Sequence, residues 1–173
     1  MFQKFRKQVA SRQICACCGK HTDDSLSALT FSSPTYWDES FAVEKDCYLT
    51  SDLCKVHDAA FFIRVVLLIP ITDNDEHFQW GVWVSLSEEN YERYLAVFGS
   101  KKELKEEPYF GWFANQLPGY PDCTSIKTNV YLNGGGLRPE ILLDHANPHP
   151  LCQEQHGGIT MKRAKELLKI LEV

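Results

Sequence analysis

Phe61-Phe62-Ile63-Arg64-Val65-Val66-Leu67-Leu68-Ile69-Pro70-Ile71, a polar interval at 72–76, and then His77-Phe78-Gln79-Trp80-Gly81-Val82-Trp83-Val84-Ser85-Leu86 decide the fold class. The first run is apolar on both parities except at Arg64. That marks a strand covered on both faces, and its β-branched residues favour strand over helix. The second run alternates. Phe78, Trp80, Val82, Val84 and Leu86 make one apolar face, opposed by His77, Gln79, Gly81, Trp83 and Ser85. So short an interval predicts that the two strands form an antiparallel hairpin.

Working outward, Ser87-Glu88-Glu89 opens a helix over 88–98. The serine caps it, and the acids sit at its positive end. Tyr91, Tyr94, Leu95 and Phe98 form its inner stripe, and Gly99 ends it. Residues 101–107 are a charged linker. Strands are expected at 109–115 and 125–132, joined by the stiff Leu117-Pro118-Gly119-Tyr120-Pro121. Gly134-Gly135-Gly136 opens no helix, so it reads as a turn and not as a phosphate cradle. A last strand follows at 137–144. Thr160 caps a final helix over 161–171, with Met161, Ala164, Leu168 and Leu171 inward. Upstream, 2–12 suits a short basic helix, 25–31 a strand, 34–46 a loop with a helical turn, and 47–56 a strand or hairpin arm. The expected class is α+β: a mostly antiparallel sheet of about five or six strands with two main helices, 88–98 and 161–171. Residues 1–14 would be an arm, and 15–173 one domain that includes a zinc-knuckle-like cysteine cluster within 15–57.

The chain has 173 residues, 44% hydrophobic and 24% charged, with a net charge of -5. That balance suits a soluble binding protein or enzyme. It lacks the basic face that a general nucleic-acid coat needs. The longest apolar run is interrupted by Arg64 and Pro70 and is too short to span a bilayer, so no membrane partner is expected. Residues 1–14 lack the apolar stretch of a secretory signal, although 1–22 carry Lys and Arg without an acid, loosely like a transit peptide. Seven cysteines without a secretory leader imply a reducing, cytoplasmic setting.

Those thiols cluster at Cys15-Ala16-Cys17-Cys18-Gly19-Lys20-His21. Two thiolates at this spacing, with a glycine to turn the backbone, make half of a structural zinc site. His21, Cys54, Cys47 and His57 are the candidates for the remaining ligands. Six residues separate Cys47 from Cys54, too many for a second knuckle. The favoured set is Cys15, Cys18, His21 and Cys54; free packing thiols are the competing reading. Cys123 and Cys152 read as packing cysteines, or as a nucleophile dyad of Cys152 with His149 or His156. Arg64, Trp83, Lys127, Arg138 and His149, with Glu154, sit beside strongly structured segments. The basic members could bind a small anionic ligand against a tryptophan wall. Alternatively, Arg64 pairs with Glu140 or Asp144 across the sheet.

The stretch 80–90, Trp-Gly-Val-Trp-Val-Ser-Leu-Ser-Glu-Glu-Asn, resembles the signature of a bacterial family, domain of unknown function 2199. Further matching segments are residues 15–19, 51–54, 61–64, 109–112, 117–122, Lys127-Thr128, Gly136-Leu137-Arg138-Pro139, His149-Pro150-Leu151 and Glu154-Gln155. Thr22 and Tyr131 stand where the family pattern favours histidine. The resemblance implies a small soluble bacterial protein and carries no known activity, substrate or catalytic residue. The expected function is a non-catalytic binding or interaction domain whose aromatic segments 80–83 and 109–112 meet a protein partner. The alternative is a small-molecule-binding protein or enzyme using Arg64, Lys127, Arg138 and His149.

Overall fold

The computed structural model describes residues 29–102 and 106–170. In chain order these form β1 (Leu29–Thr30), a 3-10 turn (Glu39–Val43), β2 (Tyr48–Leu49), β3 (Leu53–Val56), β4 (Ala60–Pro70), β5 (His77–Leu86), α1 (Glu88–Val97), β6 (Tyr109–Phe113), β7 (Lys127–Tyr131), β8 (Glu140–Leu143), α2 (Pro150–Gly157) and α3 (Met161–Ile170). The cysteine cluster at 15–21 lies outside the described residues, so the expected knuckle does too.

The long hairpin is the frame. β4 and β5 pair antiparallel over their whole length, from Phe61 opposite Leu86 to Pro70 opposite His77. β6, β7 and β8 follow as an antiparallel meander. The sheet then returns to its start, because β8 pairs with β4 through Val66 and Glu140. Five alternating strands leave the first and last pointing the same way, so the closing pair is parallel. This corrects the expected mostly antiparallel sheet of five or six strands with two main helices. Among the described residues there is a mixed eight-stranded sheet whose β4 to β8 close a barrel, together with three α-helices.

Strand parity fills the barrel. Ile63, Val65, Leu67 and Ile69 of β4 face Val84, Val82, Trp80 and Phe78 of β5. Tyr109, Phe113, Val130, Ile141 and Leu143 complete the buried set. The outward parity is less polar than the alternation implies. Gly81 and Trp83 are buried as well. β1 runs parallel to β5 beside Trp80 and Gly81, and a Cβ on Gly81 would come within 2.7 Å of the Thr30 methyl. The chain after β1 then crosses Trp83, whose Nε1 donates to Phe31 O at 3.1 Å. Asn115, fully buried, fastens this crossing. Its Oδ1 accepts from Trp83 N–H at 2.7 Å, and its Nδ2 donates to Ser33 O at 3.0 Å.

Ser87 caps α1 by accepting from Asn90 N–H, and Tyr91 and Tyr94 are buried beneath it. Phe98, expected inward, is exposed. In α3 the buried residues are Ala164 and Leu167. The helix missing from the sequence reading is α2. Its N-cap is His149, whose Nδ1 accepts from Leu151 N–H, and Pro150 occupies its first turn.

Candidate functional site

Two places gather side chains with chemical potential. The first is built at the open end of the β2–β3 hairpin. Tyr48 pairs with Lys55 and Leu49 with Cys54, so the chain just before β2 meets the chain just after β3. Cys47 and His57 flank that mouth. The 3-10 turn delivers Glu44, whose N–H donates to Phe41 O, while Cys47 N–H donates to Glu44 O. His57 Nδ1 lies 3.6 Å from Cys47 Sγ and 3.4 Å from a Glu44 carboxylate oxygen. The His57 backbone N–H also donates to Cys47 Sγ at 3.2 Å. His57 sits at φ +52°, a left-handed conformation uncommon for a residue with a side chain. The Phe41 ring meets the imidazole edge-on at 5.5 Å. Thiol, imidazole and carboxylate together form a group able to hold a metal ion.

Of the expected zinc ligands, Cys15, Cys18 and His21 fall outside the described residues. Cys54 stands on β3 opposite Leu49, fully buried; burial, with a smaller contribution from Cys47, pushes its thiol up to about 12. Cys47 and His57, named in the sequence as possible ligands but not favoured, are the pair that the hairpin brings together.

The second place holds the arginines. Arg138 Nε donates to Asp52 Oδ1 at 2.6 Å, and Arg64 Nη1 donates to Ser51 O at 3.1 Å. Arg64 is thus held by the Ser51 carbonyl and lies within the influence of the Asp52 charge, while the ion pair to Asp52 belongs to Arg138. Glu140 instead accepts from Asn133 Nδ2. Lys127 and His149 do not join them. Asn133 Nδ2 bonds Arg138 O at one end of β7, and Lys127 O accepts from Asp144 N–H at the other. Six residues of extended chain separate those ends by roughly 20 Å. His149 is engaged as the cap of α2. Trp83 is fully buried in the core. Glu154 accepts from Arg163 Nε at 2.9 Å and from the Tyr120 hydroxyl.

Burial would raise the Asp52 carboxyl, but hydrogen bonds from Arg138 and Ser51 and the charges of Arg138 and Arg64 outweigh it, so its pKa is lowered. A depressed folded value gives stability that is present above the unfolded value, about pH 4, and lost as pH falls through the folded one. Asp52→Asn should therefore flatten the acid limb of the stability curve below about pH 4, read by urea unfolding. An unchanged acid limb would mean that the pair contributes nothing in solution.

The other buried thiols are chemically quiet. Cys123 and Cys152 are nearly fully covered, and burial pushes each to about 11. Neither offers a thiolate nucleophile near neutral pH.

One surface was legible only in part. Phe110 and Trp112 of β6 point outward, their rings 5.1 Å apart and edge to face. Phe110 lies opposite Asn129, which lies opposite Leu142; Trp112 lies opposite Lys127. Phe110, Trp112, Tyr131 and Leu142 are 47%, 41%, 40% and 43% exposed. They share the outer face of β6–β7–β8. Trp112 also borders an open groove of about 600 Å³, walled by Tyr36, Phe41, Val56 and Phe62.

The described residues thus form a closed five-stranded barrel that bears an aromatic outer face and a thiol–imidazole–carboxylate cluster. Residues 14–159 match the family model of domain of unknown function 2199, described as an uncharacterized protein conserved in bacteria, and the chain belongs to that family. No curated protein and no solved structure matched the chain.

Proposed function

We propose that this chain is a non-catalytic binding protein that meets a protein partner through the outer face of β6–β7–β8. The observation that carries the reading is the row of half-exposed aromatic and aliphatic side chains, Phe110, Trp112, Tyr131 and Leu142, on one continuous strand surface. Large apolar side chains gathered on one surface mark association sites, and aromatics are enriched at their centres. Lys127, opposite Trp112, adds a charge to that surface. The absence of convergence among Arg64, Arg138, Lys127 and His149, and the raised thiols of Cys123 and Cys152, favour binding over catalysis. A structural zinc ion is the second part of the reading, supported by the Cys15-x-x-Cys18-Gly19 spacing and the Glu44–Cys47–His57 group. The bacterial cytoplasm fits four free, buried cysteines among the described residues. Among those residues no helix is long and apolar enough to cross a membrane.

Site-specific photo-crosslinking in bacterial cells tests the surface. A crosslinker at Phe110 or Tyr131 should give one discrete adduct, and one at Val43, which is 90% exposed, should give none. Trp112→Glu should abolish the adduct while leaving the melting temperature within about 2 °C. Equal crosslinking at all three positions would count against the assignment.

A further inference from the structure

We infer that Cys47, His57 and Glu44 are direct ligands of a tetrahedral zinc ion, a preformed site at the mouth of the β2–β3 hairpin. The inference rests on the zinc part of the proposed function and deepens it by naming a ligand set other than the favoured Cys54.

The distances carry it. An imidazole nitrogen hydrogen-bonded to a carboxylate sits about 2.7–3.2 Å from the oxygen. His57 Nδ1 is 3.4 Å from a Glu44 carboxylate oxygen, longer than a good hydrogen bond. That spacing leaves room for an ion between them. With Zn–S about 2.3 Å and Zn–N and Zn–O about 2.0–2.1 Å, the edges of a regular tetrahedron are roughly 3.6 Å for S···N and roughly 3.4 Å for N···O. The observed Sγ···Nδ1 and Nδ1···O separations are 3.6 Å and 3.4 Å. All the ligand atoms of the group lie within 4.8 Å of one another.

The surroundings suit a bound thiolate. The His57 N–H donates to Cys47 Sγ, an outer-shell hydrogen bond of the kind that orients a ligand and tunes its basicity. That bond goes with the left-handed backbone at His57, an uncommon conformation for a residue with a side chain, kept where it serves the sulfur. The Phe41 ring packs against the imidazole edge to face at 5.5 Å. A set of one sulfur, one nitrogen and one oxygen suits zinc and disfavours magnesium or calcium, which take oxygen donors. The three residues fill three vertices. Water would take the fourth.

The experiment uses the full chain, stripped of metal and titrated with zinc against a chromophoric chelator, then with cobalt as a spectroscopic stand-in. The parent should bind one zinc. Cys47→Ala and His57→Asn should each weaken binding at least about 100-fold, and Glu44→Gln about 10-fold, since even outer-shell changes cost 10–100-fold. His57→Asn is the conservative choice, because asparagine tolerates the left-handed backbone; metal-free variants with the parent's circular dichroism remain folded. Cys47→Ala should also diminish the thiolate-to-cobalt charge-transfer band. Retention of zinc by a Cys15→Ser/Cys18→Ser double variant would assign the fourth vertex to water, and its loss alongside the other losses would assign that vertex to the motif; both support the site. Parent-like affinity in His57→Asn and Cys47→Ala overturns the site. If the double variant alone loses the metal, the zinc reading survives with a different ligand set. A parent chain that binds no zinc overturns both.

Discussion

Trp80→Ala should lower the unfolding free energy by about 3–5 kcal/mol, while Trp112→Ala should change it by less than about 0.5 kcal/mol. Both tryptophans stand in aromatic-rich strand segments, and residue type alone does not separate them. Position in the barrel does. Trp80 is fully buried, with Leu67 opposite it on β4. The Phe78 ring meets it edge to face at 5.4 Å, and the Phe31 ring lies at 6.3 Å. Truncation there removes a large side chain from a close-packed interior and leaves a cavity that β4, β5 and β1 cannot collapse to fill without giving up their pairing. Trp112 is 41% exposed, and its truncation removes an edge contact with Phe110 and one border of an open groove, leaving no enclosed cavity. Urea unfolding of the two variants makes the comparison. A cost below about 1 kcal/mol for Trp80→Ala would mean that the barrel interior is not filled as described.

The same contrast shows what a sequence can and cannot reveal. The β4–β5 hairpin was readable because its signal is local: a doubly apolar run, a short polar interval and a strict alternation. Ser87 and Thr160 were readable as caps for the same reason, and each accepts a backbone N–H in the first turn of its helix. Barrel closure left no local mark. It rests on one pairing, Val66 with Glu140, between strands seventy-odd residues apart, whose parallel sense follows from the number of strands in the meander. A tryptophan wall for an anion at Trp83 is what the sequence suggests beside Arg64; the crossing after β1 buries that ring instead. His149 was read as a ligand for an anion, although the pair His149-Pro150 is itself a helix-start signal: a cap followed by a first-turn proline. The metal group was half visible. Cys47 and His57 were among the possible ligands, but counting residues from Cys47 to Cys54 hid the fact that a hairpin returns the chain at His57. Glu44 had no sequence signal, because a 3-10 turn brings it there.

Gln155→Leu should cost roughly 2–5 kcal/mol, and Gln155→Glu should cost a similar amount near neutral pH but recover stability as the solution is acidified. Gln155 is buried on α2. Its Oε1 accepts from Leu143 N–H at 2.8 Å, and its Nε2 donates to Ile141 O at 2.7 Å. The side-chain amide thus acts as a strand edge for β8 on the side where β4 pairs with it only at Glu140. Leucine fills similar space and leaves a buried N–H and a buried C=O without partners, each costing about 1–3 kcal/mol. A glutamate carboxylate can still accept from Leu143 but cannot donate to Ile141 O, and its charge is buried. A protonated carboxyl can do both. The folded state therefore favours the protonated form, which raises the variant's folded pKa above the unfolded value of about 4.3. Stability from that proton is fully present below the unfolded value and lost as pH rises through the folded one. Denaturant midpoints of Gln155→Glu, normalised to the parent at each pH, should climb as pH falls toward about 4. Gln155→Leu should show no such climb. A flat profile for Gln155→Glu would mean that water replaces the amide at Ile141 O, and that α2 is not what seals this side of β8.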